Sequence, residues 1–334
     1  MNRLKRKEEV SPPKEKANPR KKRKKYESWG KKERYLVFYI LLVTIILSAV
    51  LALSARSWKL PGFPRISLPS FRGETIIIEG NKESQKEKEK TGRVIKAFKE
   101  KTGKLSGVYG LYVVRLDSGT SYGVFEREIF EPASLNKLPV IAALYMEAEK
   151  GNLDLETKYN LKDSDKVGGA GSLSGKPAGT VLTFRQLVEL MGKQSDNTAF
   201  NIAKKILGKE IIEATIQEIG MKDTIIEEEQ KTTPYDIGIF FQKLWQGEIV
   251  SKKYRDEILD FLTDTIYEAW ISEGIQDVRV AHKFGREVHV VNDAGIIFTD
   301  EPFVLIILSK GVVEREADEV FPELARLVYE VEME

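Results

Sequence analysis

Between Tyr35 and Ser54 the chain runs for twenty residues without a charged side chain, Tyr35-Leu36-Val37-Phe38-Tyr39-Ile40-Leu41-Leu42-Val43-Thr44-Ile45-Ile46-Leu47-Ser48-Ala49-Val50-Leu51-Ala52-Leu53-Ser54. As a helix rising about 1.5 Å per residue, such a run spans about 30 Å, the thickness of a bilayer's hydrocarbon core. Ahead of it, residues 1–34 hold fifteen Lys and Arg against five Glu, a charge of +10 that leaves −8 for the rest of a chain whose formal net charge is +2. Cytoplasmic flanks of membrane spans are the basic ones. The run therefore predicts a single transmembrane anchor over 35–54, with the arm of residues 1–34 in the cytoplasm and everything after the span outside the cell membrane. A cleavable signal peptide is the competing reading, since Ala52-Leu53-Ser54 fits a cleavage site, but the long charged arm favours an anchor that stays. Within the arm, Arg20-Lys21-Lys22-Arg23-Lys24-Lys25 is accounted for by topology and anionic lipid, so no nucleic-acid partner is expected.

Residues 55–90 read as a disordered tether. Pro61, Pro64 and Pro69 punctuate the first part, and Asn81-Lys82-Glu83-Ser84-Gln85-Lys86-Glu87-Lys88-Glu89-Lys90 is polar throughout. The stretch beyond the tether, residues 91–332, is about 240 residues long, enough to bury a core without help. Help from disulfides is excluded because the chain has no cysteine, which also removes thiol chemistry. There are two histidines, His282 and His289. Read as flanking a turn at Lys283 on adjacent strands, they lack a third ligand, so no metal or other cofactor is expected. Trp270 and Tyr109 read as core residues. No internal repeat is visible at the periods of solenoids.

With thiols absent and histidine scarce, a hydroxyl nucleophile here needs a lysine as its base. Ser134-Leu135-Asn136-Lys137 supplies that pair. Positions i and i+3 share a helix face, which sets the Ser134 hydroxyl beside the Lys137 amine. The spacing alone is weak: Ser11-Pro12-Pro13-Lys14 matches it too, among prolines where no helix can organise it. The two differ in context, because Lys137-Leu138-Pro139-Val140-Ile141-Ala142-Ala143-Leu144-Tyr145-Met146 reads as a buried helix that stops at Gly151.

Two further segments complete a set. Ser195-Asp196-Asn197 comes after a helical stretch, and Lys283-Phe284-Gly285 ends the strand-like run Val278 to His282. Together with Ser134 and Lys137, and in this order, they resemble the Ser-x-x-Lys, Ser-Asp-Asn and Lys-Thr-Gly motifs of class A β-lactamases and their penicillin-binding relatives. Gly171-Ser172-Leu173, Pro177-Ala178-Gly179-Thr180, Thr232-Thr233-Pro234 and Asn292-Asp293-Ala294-Gly295 add weaker matches, and the resemblance spans roughly 91–332. It implies catalytic roles for Ser134 as acylated nucleophile, Lys137 as base and Ser195 as proton relay. It implies substrate binding by Asn197, Lys283, Gly285 and Arg286, with the backbone N–H groups of Ser134 and Arg286 as the oxyanion hole. Asp196 reads as structural.

The chain departs from that pattern twice. The family's deacylating Glu sits in a Glu-x-x-Leu-Asn loop, whereas here Met221-Lys222-Asp223-Thr224-Ile225-Ile226 leads through Glu227-Glu228-Glu229-Gln230 almost directly into Thr232. One of Glu227, Glu228 and Glu229 could serve, but a solvated acidic turn is the preferred reading. Phe284 replaces a hydroxyl that in the family helps hold the substrate carboxylate. Arg286 could supply a bidentate contact instead, or be a strand-end surface residue.

The fold class expected is α/β, more strictly α+β. It is the serine β-lactamase/DD-peptidase-like fold, an antiparallel sheet drawn from both chain ends plus a helical subdomain, after one transmembrane helix. Three functions compete. The first is a membrane-anchored β-lactamase-like serine hydrolase opening a β-lactam or related amide. The second is a carboxypeptidase or transpeptidase acting on D-Ala peptides of peptidoglycan with slow β-lactam deacylation. The third is a non-catalytic envelope module that binds a peptide or partner. The expected partners are thus a β-lactam or a peptidoglycan peptide, and the membrane.

Overall fold

The computed structural model describes residues 30–57, 77–78, 85–227 and 229–334. The basic arm up to residue 29, most of the expected tether and Glu228 lie outside the described residues. The chain divides into two units, residues 1–70 and 71–334.

In the first unit one helix, α1 (Lys31–Ser57), carries the uncharged run. Its hydroxyl at Thr44 is turned back on the helix, donating to the carbonyls of Ile40 and Leu41, and Tyr35, Phe38, Tyr39, Ile45 and Leu47 are exposed. Among the described residues no helix is long and apolar enough to cross a membrane. The side chains described within the run end at Ser48.

The second unit is built in chain order from β1 (Ile77–Ile78), α2 (Gln85–Thr102), β2 (Val108–Arg115) and β3 (Ser121–Val124), then a 3-10 turn at Ala133–Asn136 that runs into α3 (Lys137–Glu149). A hairpin, β4 (Lys158–Asn160) and β5 (Val181–Thr183), leads to α4 (Phe184–Lys193), α5 (Asn197–Leu207), α6 (Lys209–Ile219), α7 (Pro234–Gln246) and α8 (Lys252–Phe261). After α9 (Ile271–Gly274) come β6 (Val280–Glu287), β7 (Val290–Ile297), β8 (Phe303–Lys310) and α10 (Glu314–Glu332). The main sheet is antiparallel in the order β1-β3-β2-β8-β7-β6, so strands from before and after the helical middle meet where β2 pairs with β8.

Both faces of that sheet are covered, which is why its central strands β2 and β8 are almost continuously apolar. Tyr112, Val114, Val304, Ile306 and Ile296 join one core with α3, α4, α5 and α7. Leu111, Val113, Leu305, Ile307 and Val291 join a second core with α2, α9 and α10. Trp270 and Tyr109 belong to the second core, as expected. Helix starts obey local chemistry: Thr183 and Gln186 form a capping box on α4, and Thr233 caps α7 with Pro234 at its first position.

Two expectations are corrected here. The helix α2 begins at Gln85, so the last six residues assigned to the tether are helical; Lys86 and Lys90 donate to the carbonyls of Glu334 and Glu332 and tie α2 to the end of α10. The second concerns Lys283, which does not sit at a turn. Pairing with β7 carries β6 on to Glu287, opposite Val290, and this ladder overrides the polar, glycine-containing composition that suggested a strand end. The turn between the strands instead holds His289, at φ 60°.

Candidate active site

The 3-10 turn before α3 is wound tightly. Pro132 is helical, Leu135 donates to its carbonyl at 3.1 Å, and Ala133 is held at φ 47°, a left-handed conformation that costs a residue with a Cβ roughly 1–3 kcal/mol. The result presents Ser134, partly exposed, at the mouth of a buried helix. Lys137, with 2 % of its surface exposed, sends Nζ to Ser134 Oγ at 2.9 Å and to Asn197 Oδ1 at 3.0 Å. Burial lowers the pKa of this amine to about 8, although Asp196 and Glu287 pull it upward.

The Ser195-Asp196-Asn197 segment is placed by Asp196, which is structural as expected. Its carboxylate caps α5 by accepting from Ala199 N at 2.8 Å and pins the preceding loop by accepting from Leu173 N at 2.7 Å. Gly171 passes so close that a Cβ there would lie 2.2 Å from Asp196 Oδ2. With that cap fixed, Asn197 faces Lys137 and donates its amide N–H to Gly168 O at 3.0 Å. Ser195 is completely buried, sits at φ 55°, and its hydroxyl has no protein partner among the described residues.

The opposite wall is β6, the edge strand. Its residues alternate: Ala281, Lys283, Gly285 and Glu287 share the face turned toward α3, while Val280, His282, Phe284 and Arg286 share the face toward α9 and α10. Gly285 is required by contact. A Cβ there would come within 3.0 Å of Ser134 N and Pro132 O, so only glycine lets the strand lie against the turn. Lys283 is fully buried, and desolvation, helped by the Lys137 amine nearby, holds its pKa well below the usual lysine range while Asp293 opposes the shift. Its Nζ donates to Phe284 O at 2.9 Å and lies 3.9 Å from the centre of the Phe284 ring.

The structure places Arg286 with its side chain on Asp318. Its side chain leaves the strand on the face away from Gly285, donates to both carboxylate oxygens of Asp318 at 2.7 and 3.1 Å, and lies over the Trp270 ring. In this arrangement its guanidinium is engaged by Asp318, and its backbone adjoins Gly285.

Three contacts carry no warning in the sequence. Asn136 Nδ2 donates to Gln230 Oε1 at 2.8 Å, so the side chain by which the short loop reaches the nucleophile's turn is an amide. Glu227 is paired with Lys204 at 2.5 Å. His282, completely buried, lies 2.8 Å from Asp293 Oδ1 and 3.4 Å from Glu268 Oε1. Burial alone would lower its pKa, but these carboxylates raise it to about 9. None of the three has a short sequence signal, since the partners lie between 11 and 94 residues apart. Among the described residues no group of three or more His, Asp or Glu stands close enough to hold a metal ion. A cavity of about 640 Å³ opens at the start of β6, lined by Asp260, Asp264, Glu268 and Asp277 among others, but none of Ser134, Lys137, Ser195 or Asn197 lines it. The chemistry lies in the seam between β6 and the α3 and α5 starts.

Residues 93–331 match the model of a family described as the Beta-lactamase enzyme family. Beta-lactamase 3 of Bacillus cereus is 24% identical over 238 residues, which cover 64% of this chain and 72% of that protein. The structure of PBP-A superposes with a TM-score of 0.67 at 26% identity, covering 73% of this chain and 96% of that one, and a mutant of PBP-A has been solved as its acyl-enzyme complex with penicillin G. A β-lactamase from Sphaerobacter thermophilus superposes with a TM-score of 0.68 at 24% identity, over 73% of this chain and 98% of that one, a likeness of fold.

Proposed function

The chain belongs to the Beta-lactamase enzyme family, and on that premise we propose that it is a membrane-anchored serine hydrolase that acylates Ser134 with a β-lactam or related amide and releases the acyl group slowly. The observation that carries this reading is the Lys137 Nζ, 2.9 Å from Ser134 Oγ and 3.0 Å from Asn197 Oδ1. An amine with its pKa drawn down to about 8 is available as free base near neutral pH. Lys137 takes the Ser134 proton as Oγ attacks the carbonyl. The backbone N–H groups of Ser134 and Arg286 receive the oxyanion. The buried Ser195 hydroxyl, with no protein partner among the described residues, relays the proton taken up by Lys137, giving its own to the leaving nitrogen as it regains that one. Asn197 holds both the substrate amide and Lys137 in place, and Lys283 and Gly285 form the wall along which the substrate lies.

Slow release is argued from the loop before Thr232. Gln230 is the residue it sends to Asn136, and Glu227 is engaged with Lys204. Among the described residues no hydrogen bond joins a carboxylate of this loop to the nucleophile's turn, where a base would activate the water. That favours, as a second reading, acyl transfer on D-Ala peptides of peptidoglycan. The likeness to PBP-A supports it too.

The anchor is part of the proposal. From Tyr35 to Leu47 the described side chains of α1 are exposed and apolar apart from Thr44, and a helix of that kind is stable when buried in a larger body or a bilayer. We assign residues 35–54 to the membrane, 1–34 to the cytoplasm and the domain of residues 91–332 to the outside. Acylation is tested by intact-mass measurement after treatment with a penicillin: the wild type gains one adduct and Ser134→Ala, folded to the same extent, gains none. An adduct on the Ala variant would refute the assignment.

A further inference from the structure

Along β6 the site offers its acyl donor unusual company. Two basic side chains lie on either side of Gly285, and both are taken up. Lys283 starts on the nucleophile's face, but its amine is closed off by the Phe284 ring at 3.9 Å and bonded to the Phe284 carbonyl at 2.9 Å. The ring is itself held in place, 5.1 Å from the Tyr267 ring, which in turn lies tilted against Trp270 at 4.8 Å. Arg286 points to the other face, where both oxygens of Asp318 hold it. The remaining charge of β6 on the nucleophile's face is negative: Glu287 is exposed and close enough to act on the Lys137 amine. A carboxylate laid along this strand would therefore lose water without gaining a cation from it, an unfavourable exchange.

We infer that Phe284 is a specificity-determining residue that makes this site select acyl donors uncharged along β6, an internal peptide amide or a capped ester, over donors with a free carboxylate there. The inference rests on the Ser134 acylation proposed above and narrows it. A peptide ending in a free D-Ala carboxylate becomes a poor donor, and an amide within a peptide chain a better one. Removing the ring should uncover the Lys283 amine and supply a hydroxyl beside it when the replacement is threonine.

The experiment compares benzylpenicillin with its methyl ester, which differ by the one charge. Second-order rates of adduct formation on the full chain are read by intact mass, for the wild type, Phe284→Thr and Glu287→Gln. The wild type is expected to acylate faster with the ester. Phe284→Thr should move the ester-to-acid ratio about tenfold toward the acid. Glu287→Gln, an exposed change, should raise the acid rate several-fold more than the ester rate, since any effect through the Lys137 amine is common to both probes. A wild type that prefers the free acid, or a ratio that stays within about twofold in both variants, overturns the inference while leaving Ser134 acylation standing. Failure of both probes to acylate the folded wild type overturns the proposed function, and the inference falls with it.

Discussion

A lysine amine whose pKa is drawn to about 8 by burial is half deprotonated near that pH, and only the free base can take a proton from Ser134. The sign is that of a depressed cation: the active form is lost as pH falls below about 8. Acylation rates measured by adduct formation should rise with pH and level off above that value, and Lys137→Ala should lower them by roughly 10²- to 10⁴-fold, the usual worth of general-base assistance. A flat profile from pH 6 to 9 would remove Lys137 as the base. At the loop, Glu227 is held by Lys204, so Glu227→Gln should change the lifetime of the acyl-enzyme by less than about twofold; a tenfold lengthening would identify Glu227 as the missing base. At this scale the sequence is most legible where chemistry is local. Ser134 and Lys137 are three residues apart at the start of an apolar helix and Asp196 caps the helix it precedes, so spacing read with its helical context points to both. Arg286 is less legible because its partner Asp318 is 32 residues on, and direction along a strand depends on which face each residue takes. Gln230 and Asn136 meet only because the chain folds back between them.

Elements are legible where periodicity and caps agree: the buried helix read from Lys137 to a stop at Gly151 is α3, Lys137–Glu149, with Gly151 at φ 76° just beyond it. The charged stretch at Gln85 to Lys90 reads as tether because its helix is stabilised from outside, by docking on α10. That docking has a buried centre. Arg115 on β2 pairs with Glu332 on α10 at 2.7 Å, and Tyr122 donates to the same carboxylate. Removing one partner of a buried pair strands the other, so Glu332→Ala should cost about 3–5 kcal/mol of stability in denaturant unfolding of the domain. A loss under about 1 kcal/mol would show that the pair is not structural. Strand β6 is held in another way, by His282 between Asp293 and Glu268. The folded pKa of His282 is about 9, above its ordinary 6.5, so its contribution is complete below about pH 6.5 and is lost as pH rises through 9. Glu268 is held down to about 2 by the same contact, so that side is lost only as pH falls from 4.5 through 2. Thermal stability should therefore decline between pH 6.5 and 9, and His282→Gln should flatten that decline.

At the scale of the whole molecule, a basic arm, an apolar helix and an enzyme domain succeed one another along the chain. Protease added outside spheroplasts should remove the domain of residues 91–332 and spare the arm; a domain protected until lysis would contradict the assigned topology. The two cores on either side of one sheet leave the site in a seam that is supported from both directions, by α3 and α5 on one side and by β6 with its aromatic backing on the other. Among the described residues of the short loop, the side chain bonded to that seam is the Gln230 amide, and no loop carboxylate is hydrogen-bonded there for the second half of the reaction. Loss of such a base is worth about 10² to 10⁴ in rate, or about 3–5 kcal/mol, and it falls on deacylation alone. The most direct test is an intact-mass time course on the full chain after a short exposure to benzylpenicillin or its methyl ester and removal of the excess reagent. One adduct per chain, on Ser134, persisting for many minutes is the predicted result. A chain that consumes the reagent at many turnovers per second and carries no adduct would contradict it.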